Sequence, residues 1–250
     1  MSWRSLVANA SWQRRQQEQA WAFGREQCDR LLSNYQTDYG LATPPPPAKI
    51  IDELLTDYLK AALQFDPLPL DRYGETRLED GKAVVTINSR LGDIEGVKDA
   101  QGVENVAKWH EAMHVIRDLD TLVAPASRMF DGFDQPAQIV CYRAAGAKVL
   151  TRRDESVERE FWAEEAGRAA AVSLKALQRA ESFRALLRAA GRSTGAVVGA
   201  WPLLYDAATE IGVNITALVK QLSLEGCIVV DREGGRSVVH VQSVLIGGVS

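Results

Sequence analysis

Trp109-His110-Glu111-Ala112-Met113-His114-Val115 decides how this chain is read. The chain has only 3 histidines in 250 residues, and two of them stand here four apart with a glutamate between. On a helix, positions i and i+4 lie one above the other on one face, so both imidazoles can reach a single ion. Glu111, beside the first imidazole, then falls next to the position a water would take. Two histidines and a glutamate in this H-E-x-x-H spacing are what a zinc-dependent peptidase requires. The apolar flanks Val103, Val106, Trp109, Val115 and Ile116 send this helix into a core, where buried polar groups need partners.

Working outward, the composition sets limits. There are 29 Lys+Arg against 33 Asp+Glu, a mildly acidic balance that implies no strong polyanion-binding surface. Cys28, Cys141 and Cys227 are odd in number and far apart, so they read as reduced thiols. Met1 to Ala20 lacks an apolar signal core, and the longest apolar stretch, Thr194 to Leu204, is short and broken by glycine and proline. The expectation is a cytoplasmic protein without a membrane segment, whose metal ligands are histidines and carboxylates.

The hydrophobic spacing predicts a helix over 12–35, with Trp3, Trp12 and Trp21 recurring nine apart as packing residues. Pro44 to Pro47 forms a stiff elbow, followed by a helix from Ala48 to Phe65 carrying Ile50, Ile51, Leu54, Leu55, Tyr58, Leu59 and Leu63. Two strands, 74–78 and 83–88, are joined through Asp80-Gly81, a hairpin signal. Residues 138–142 and 148–151 read as short strands extending that sheet, with irregular chain from 119 to 137. Residues 154–190 read as one long helix or two. Glu158, Glu160, Glu164 and Glu165 there alternate with alanines and Gly167, small residues that let another helix approach closely.

The tail has a helix near 201–211, a turn at Gly212-Val213-Asn214, a helix over 215–224, and a hairpin of 227–230 with 237–241. That order predicts a helix-turn-helix with a wing. The fold expected is therefore α+β, mainly helical, with a small antiparallel or mixed sheet. It divides as 1–47 (helix and elbow), 48–190 (the metal-binding domain) and 191–250 (the winged helix-turn-helix-like domain).

Two histidines leave a tetrahedral zinc one protein ligand and one water short. His240 lies in the wing; a carboxylate from the Ala-rich helix is better placed. Glu160 and Glu164 are four apart, so either can reach the ion while the other supports a histidine. Glu111 is the expected general base, and Tyr142 or Arg143 the candidate oxyanion donors.

With these residues in view, the chain resembles the ImmA/IrrE family of regulatory metallopeptidases over about residues 27–177. The likeness lies in the helix after the Pro-rich elbow, the hairpin ending Val85-Thr86-Ile87-Asn88, the His110-Glu111-Ala112-Met113-His114 motif and the later Glu-x-x-Ala helix. The resemblance implies a zincin-like fold, His110 and His114 as ligands of zinc (or manganese), Glu111 as the base, and a downstream glutamate as third ligand. Glu160 fits that pattern slightly better than Glu164. Two departures stand out: Met113 replaces the usual glycine, and the stretch from His114 to Glu160 is longer. The implied substrate is a protein, a helix-turn-helix transcriptional repressor cut in a response to stress or DNA damage. The competing expectation is a DNA- or protein-binding regulator with a structural or sensory metal. Charge disfavours the DNA version: residues 201–250 hold Lys220, Arg232 and Arg236 against Asp206, Glu210, Glu225, Asp231 and Glu233.

Overall fold

The computed structural model describes residues 3–118, 138–140, 155–192, 196–197, 199–233 and 236–241. The fold is α+β and mainly helical. Helix α1 (Trp3–Tyr39) is followed by the proline elbow and a single helical turn, α2 (Ile51–Glu53), which widens into a π-turn over Leu54–Tyr58. Strand β1 (Ala62–Asp66) comes next, then the hairpin β2 (Gly74–Glu79) and β3 (Lys82–Asn88). Asp80 and Gly81 both take positive φ, 48° and 76°, the pair of left-handed residues that a two-residue hairpin matched to strand twist requires.

The helix expected from Ala48 to Phe65 is corrected by the structure. The apolar spacing is helical only to Leu59. Lys60 turns left-handed (φ 57°), and the amide of Ala61 donates back to the Leu55 carbonyl at 3.0 Å, closing the helix. The remaining residues then pair as β1, parallel to β3, in the register Ala62 with Val84 through Asp66 with Asn88. Leu63 fits a helix and a strand face equally well, so spacing alone did not separate them.

The motif helix, α3 (Ala100–Arg117), starts at Asp99, whose side chain accepts from the Gly102 amide at 2.9 Å. It packs on β2 and β3. Strand β4 (Gln138–Val140) pairs with β2, giving a four-stranded sheet in the order β1-β3-β2-β4. The expected strand at 148–151 lies outside the described residues. Residues from 155 on form three helices: α4 (Glu155–Ala171), α5 (Leu174–Arg179, capped by Ser173) and α6 (Glu181–Arg192).

Helix α4 is wedged between α1 and α3. Ala163, Ala166, Ala169, Ala170 and Ala171 are buried, and the two neighbouring backbones approach at glycines. A β-carbon on Gly24 of α1 would stand 2.1 Å from the Ala166 carbonyl oxygen; one on Gly167 would stand 2.8 Å from the His110 Cα.

The tail forms α7 (Ala200–Ile211) and α8 (Ile215–Leu224), joined at Gly212 (φ 82°), with Asn214 capping α8. Strands β6 (Ile228–Glu233) and β7 (Arg236–Val241) follow, and β7 also pairs with β5 (Ala196–Val197), in the order β5-β7-β6. The buried apolar residues make one continuous cluster from Ala20 through Trp109 and Leu177 to Val241. Cys28 and Cys227 are buried free thiols, pushed up by burial to about 12 and about 11; Cys141 lies outside the described residues. No helix among the described residues is long and apolar enough to cross a membrane.

Gly24→Ala tests the wedge. Helix propensity favours alanine by about 1 kcal/mol. The new methyl must displace a backbone carbonyl, at about 1–3 kcal/mol for overpacking. The expected outcome is a lower urea midpoint with an unchanged slope. Gly92→Ala, whose methyl would meet nothing within 4 Å, moves the midpoint little. Equal or greater stability for Gly24→Ala would contradict the close packing of α1 on α4.

Candidate metal centre

His110 and His114 project from one face of α3 with their Nε2 atoms 3.1 Å apart. Glu160 reaches them from α4. Its Oε2 stands 3.5 Å from His110 Nε2 and its Oε1 3.5 Å from His114 Nε2, and one donor atom from each residue lies within 4.8 Å of the others. Tetrahedral donors about 2.0–2.1 Å from an ion are about 3.3 Å from each other. The observed spacings of 3.1 and 3.5 Å are close to that requirement, and two imidazoles with one carboxylate form a zinc-type donor set, so these residues fit a divalent ion.

His114 is fully buried, and its Nδ1–H donates to Asp118 Oδ2 at 2.8 Å. That bond fixes the tautomer and leaves the Nε2 lone pair facing the other donors. Asp118 is itself 4 % exposed and ends α3. Burial disfavours the charged form of His110, but its bond to Glu160 and the charges of Glu111, Glu160 and Glu164 outweigh burial and raise its pKa above the usual histidine value.

Glu111 is 1 % exposed and turns toward the sheet. The Thr76 hydroxyl on β2 donates to its Oε2 at 2.7 Å, in a fully buried contact. Its Oε1 lies against Gly74, where a β-carbon would come within 2.8 Å. Gly74 and Thr76 therefore form a fitted seat for the carboxylate, one leaving space and the other supplying a donor.

Of the two glutamates considered as third ligand, the structure brings Glu160 to the imidazoles. Glu164 is held elsewhere, by Lys220 Nζ of α8 at 2.6 Å and by Arg168 at 3.3 Å. Partial burial works against its charge, but Lys220, Arg168 and His110 prevail and lower its pKa. The support for a histidine that sequence assigned to the second glutamate comes instead from Asp118. That residue sits four beyond His114, so the same i, i+4 spacing that revealed the histidines also reaches it. Thr76 is 35 residues from Glu111 and gave no local signal. His240 lies on β7 with Asp231 at 3.8 Å and is not part of the cluster. Tyr142 and Arg143 lie outside the described residues.

A cleft of about 660 Å³ opens from His110 and Glu111. One wall is α3 with the loop before it; the other comes from α7 and α8. No protein-family model, curated protein or solved structure matches this chain.

Asp118→Asn leaves a hydrogen-bonding group of the same size but removes the charge that fixes His114. Metal affinity should fall by about 10–100-fold. Competition with a chromogenic chelator reads this directly, with Asp93→Asn, at an exposed position in the 3-10 turn Leu91–Asp93, as the control. An unaltered affinity would mean that Asp118 does not set the His114 tautomer.

Proposed function

We propose that this chain is a metal-dependent endopeptidase of the ImmA/IrrE type, with a zincin-like catalytic unit and a winged helix-turn-helix-like tail. The observation that carries the reading is the convergence of His110, His114 and Glu160 at tetrahedral spacing, next to a glutamate that is not in the cluster. Zinc suits this donor set, with manganese as the alternative. A divalent ion held there would supply Lewis acidity, making a water more acidic and polarising a carbonyl.

The protein's own residues account for the rest. Glu111 takes the proton from the attacking water and delivers it to the departing amine. The Thr76 hydrogen bond fixes one Glu111 oxygen, so the carboxylate enters the reaction already oriented and loses little freedom. Asp118 keeps His114 in the neutral tautomer with Nε2 free to coordinate. The cleft beside His110 and Glu111 admits an extended peptide. Following the family likeness, the substrate is a regulatory protein, a helix-turn-helix transcriptional repressor cleaved under stress or DNA damage.

The competing reading makes the protein a DNA- or protein-binding regulator. DNA contact through α8 has less support. Ile215, Thr216 and Lys220, on the first turns of that helix, line the same cleft as His110 and Glu111, and Lys220 is already paired with Glu164. Few cations remain for phosphate.

Elemental analysis of the purified protein, Glu111→Gln and Glu160→Ala tests the proposal. About one zinc or manganese per chain is expected for a closed three-residue donor set, kept by Glu111→Gln and lost from Glu160→Ala. Incubated with candidate repressors, the metal-loaded protein should cut one of them, and Glu111→Gln should be at least about a hundredfold slower. If none of the three retains metal after reconstitution with either ion, the peptidase reading fails.

A further inference from the structure

The cleft has a chemical asymmetry that the metal centre alone does not require. Val103, Val106 and His110 follow one another at helical spacing, so a single stripe of α3 leads from an apolar floor to the donor cluster. Across from it stand Tyr205 of α7 and Ile215 of α8. Tyr205 lines the cleft and is 53 % exposed. From Val103 to His110 the helix rises about 10 Å, which equals about three residues of extended chain.

The far wall is held rigidly. A β-carbon on Gly102 would meet the Asn214 nitrogen at 2.5 Å, so the α7–α8 turn sits directly on the first turn of α3. Asn105 Nδ2 donates to the Gly212 carbonyl at 2.8 Å. From the other side, Arg168 of α4 donates to Gln221 of α8 at 3.0 Å, both residues being buried. The wall is thus tied both to the helix that carries the histidines and to the helix that carries Glu160.

At the outer end, Lys98 is exposed and makes no ion pair among the described residues. The neighbouring Asp99 is committed to the α3 amide of Gly102. Toward the donor cluster the cleft is also lined by Glu164, Arg168 and Lys220, which are paired with one another, so Val103, Val106 and Ile215 make its apolar part and Lys98, without an ion pair among the described residues, adds a positive charge beyond them.

We propose that α7 and α8 form a specificity wall, and that the cleft takes an extended peptide with a bulky aliphatic side chain within three residues of the cleaved bond and an acidic residue farther out, toward Lys98. This rests on the metallopeptidase reading and adds the chemistry of the segment that the site selects. A volume of about 660 Å³ accommodates such a segment. The helix that a DNA-binding module would insert into the groove serves here as a side of the substrate channel.

The test uses tripeptide hydroxamates as probes, with the metal-binding group at either end and Gly, Leu or Phe at the varied positions, titrated calorimetrically into the zinc-loaded full chain. Burying a leucine side chain should tighten binding about 10–100-fold over glycine. Ile215→Trp should collapse the Leu-to-Gly affinity ratio by filling the trough. Tyr205→Ala, at an exposed position that tolerates truncation, should lower the ratio by removing one wall. Lys98→Glu should weaken a probe extended by aspartate relative to the same probe extended by lysine. Equal affinity for the Gly and Leu probes, or a ratio that neither wall variant changes, overturns the proposal, as does displacement of the Leu probe by duplex DNA. Zinc-dependent binding of the Gly probe without a leucine preference sinks the wall alone. Retention of no zinc, or zinc-loaded protein that binds no hydroxamate, sinks the peptidase reading and the wall with it.

Discussion

The candidate site depends on how closely α4 can lie against its two neighbours. A side chain of any size at Gly167 would push α4 off the backbone of His110, and one at Gly24 would push α1 off Ala166. Glu160 is two helical turns from Gly167 on the same helix, so the contact at Gly167 acts as a fulcrum for the third donor. A helix held apart by ordinary side chains would carry the Glu160 carboxylate beyond the 3.5 Å at which it meets both imidazoles. Small residues here are thus geometric parts of the site, although none of them touches a donor atom.

That same packing explains what the sequence could and could not convey. His110, Glu111 and His114 are legible because one helical turn relates them and the helix needs nothing else to present them together. The β2–β3 hairpin is legible because Asp80-Gly81 supplies two left-handed residues at the turn. The choice between Glu160 and Glu164 was not decided locally. Both lie on the same side of α4, and what separates them is Lys220 of α8 and the neighbouring Arg168, which occupy Glu164. The strand at Ala62–Asp66 was hidden for a related reason, since its partner β3 lies some twenty residues on and only the parallel ladder makes it a strand. Thr76 was equally remote from Glu111.

The tail, which reads as a separate module, is joined to the helices of the donor cluster by buried polar contacts as well as apolar ones. Arg168 is 3 % exposed and contacts both Glu165 and Gln221; Glu165 also accepts from Trp21 and Gln17 of α1. Buried charges in such a network are costly unless every partner is in place. Loss of α8 would leave Arg168 without Gln221 and Glu164 without Lys220, on the same helix that positions Glu160. The tail therefore contributes to the electrostatic setting of the donor cluster.

The two acidic groups beside the imidazoles are held by different partners. Glu160 arrives from α4 with its side chain a quarter exposed. Glu111 faces β2, where Thr76 and Gly74 hold it away from the donor cluster. In the proposed peptidase, a base outside the donor set stays free for a proton, and the seat on β2 keeps Glu111 out of that set. Among the described residues, His114 is buried while His110 borders the cleft. Between α3 and the α7–α8 pair the cleft leads to His110 and Glu111. Cleft, carboxylate and donors are thereby aligned by the packing of α3 against β2, α4 and the α7–α8 turn.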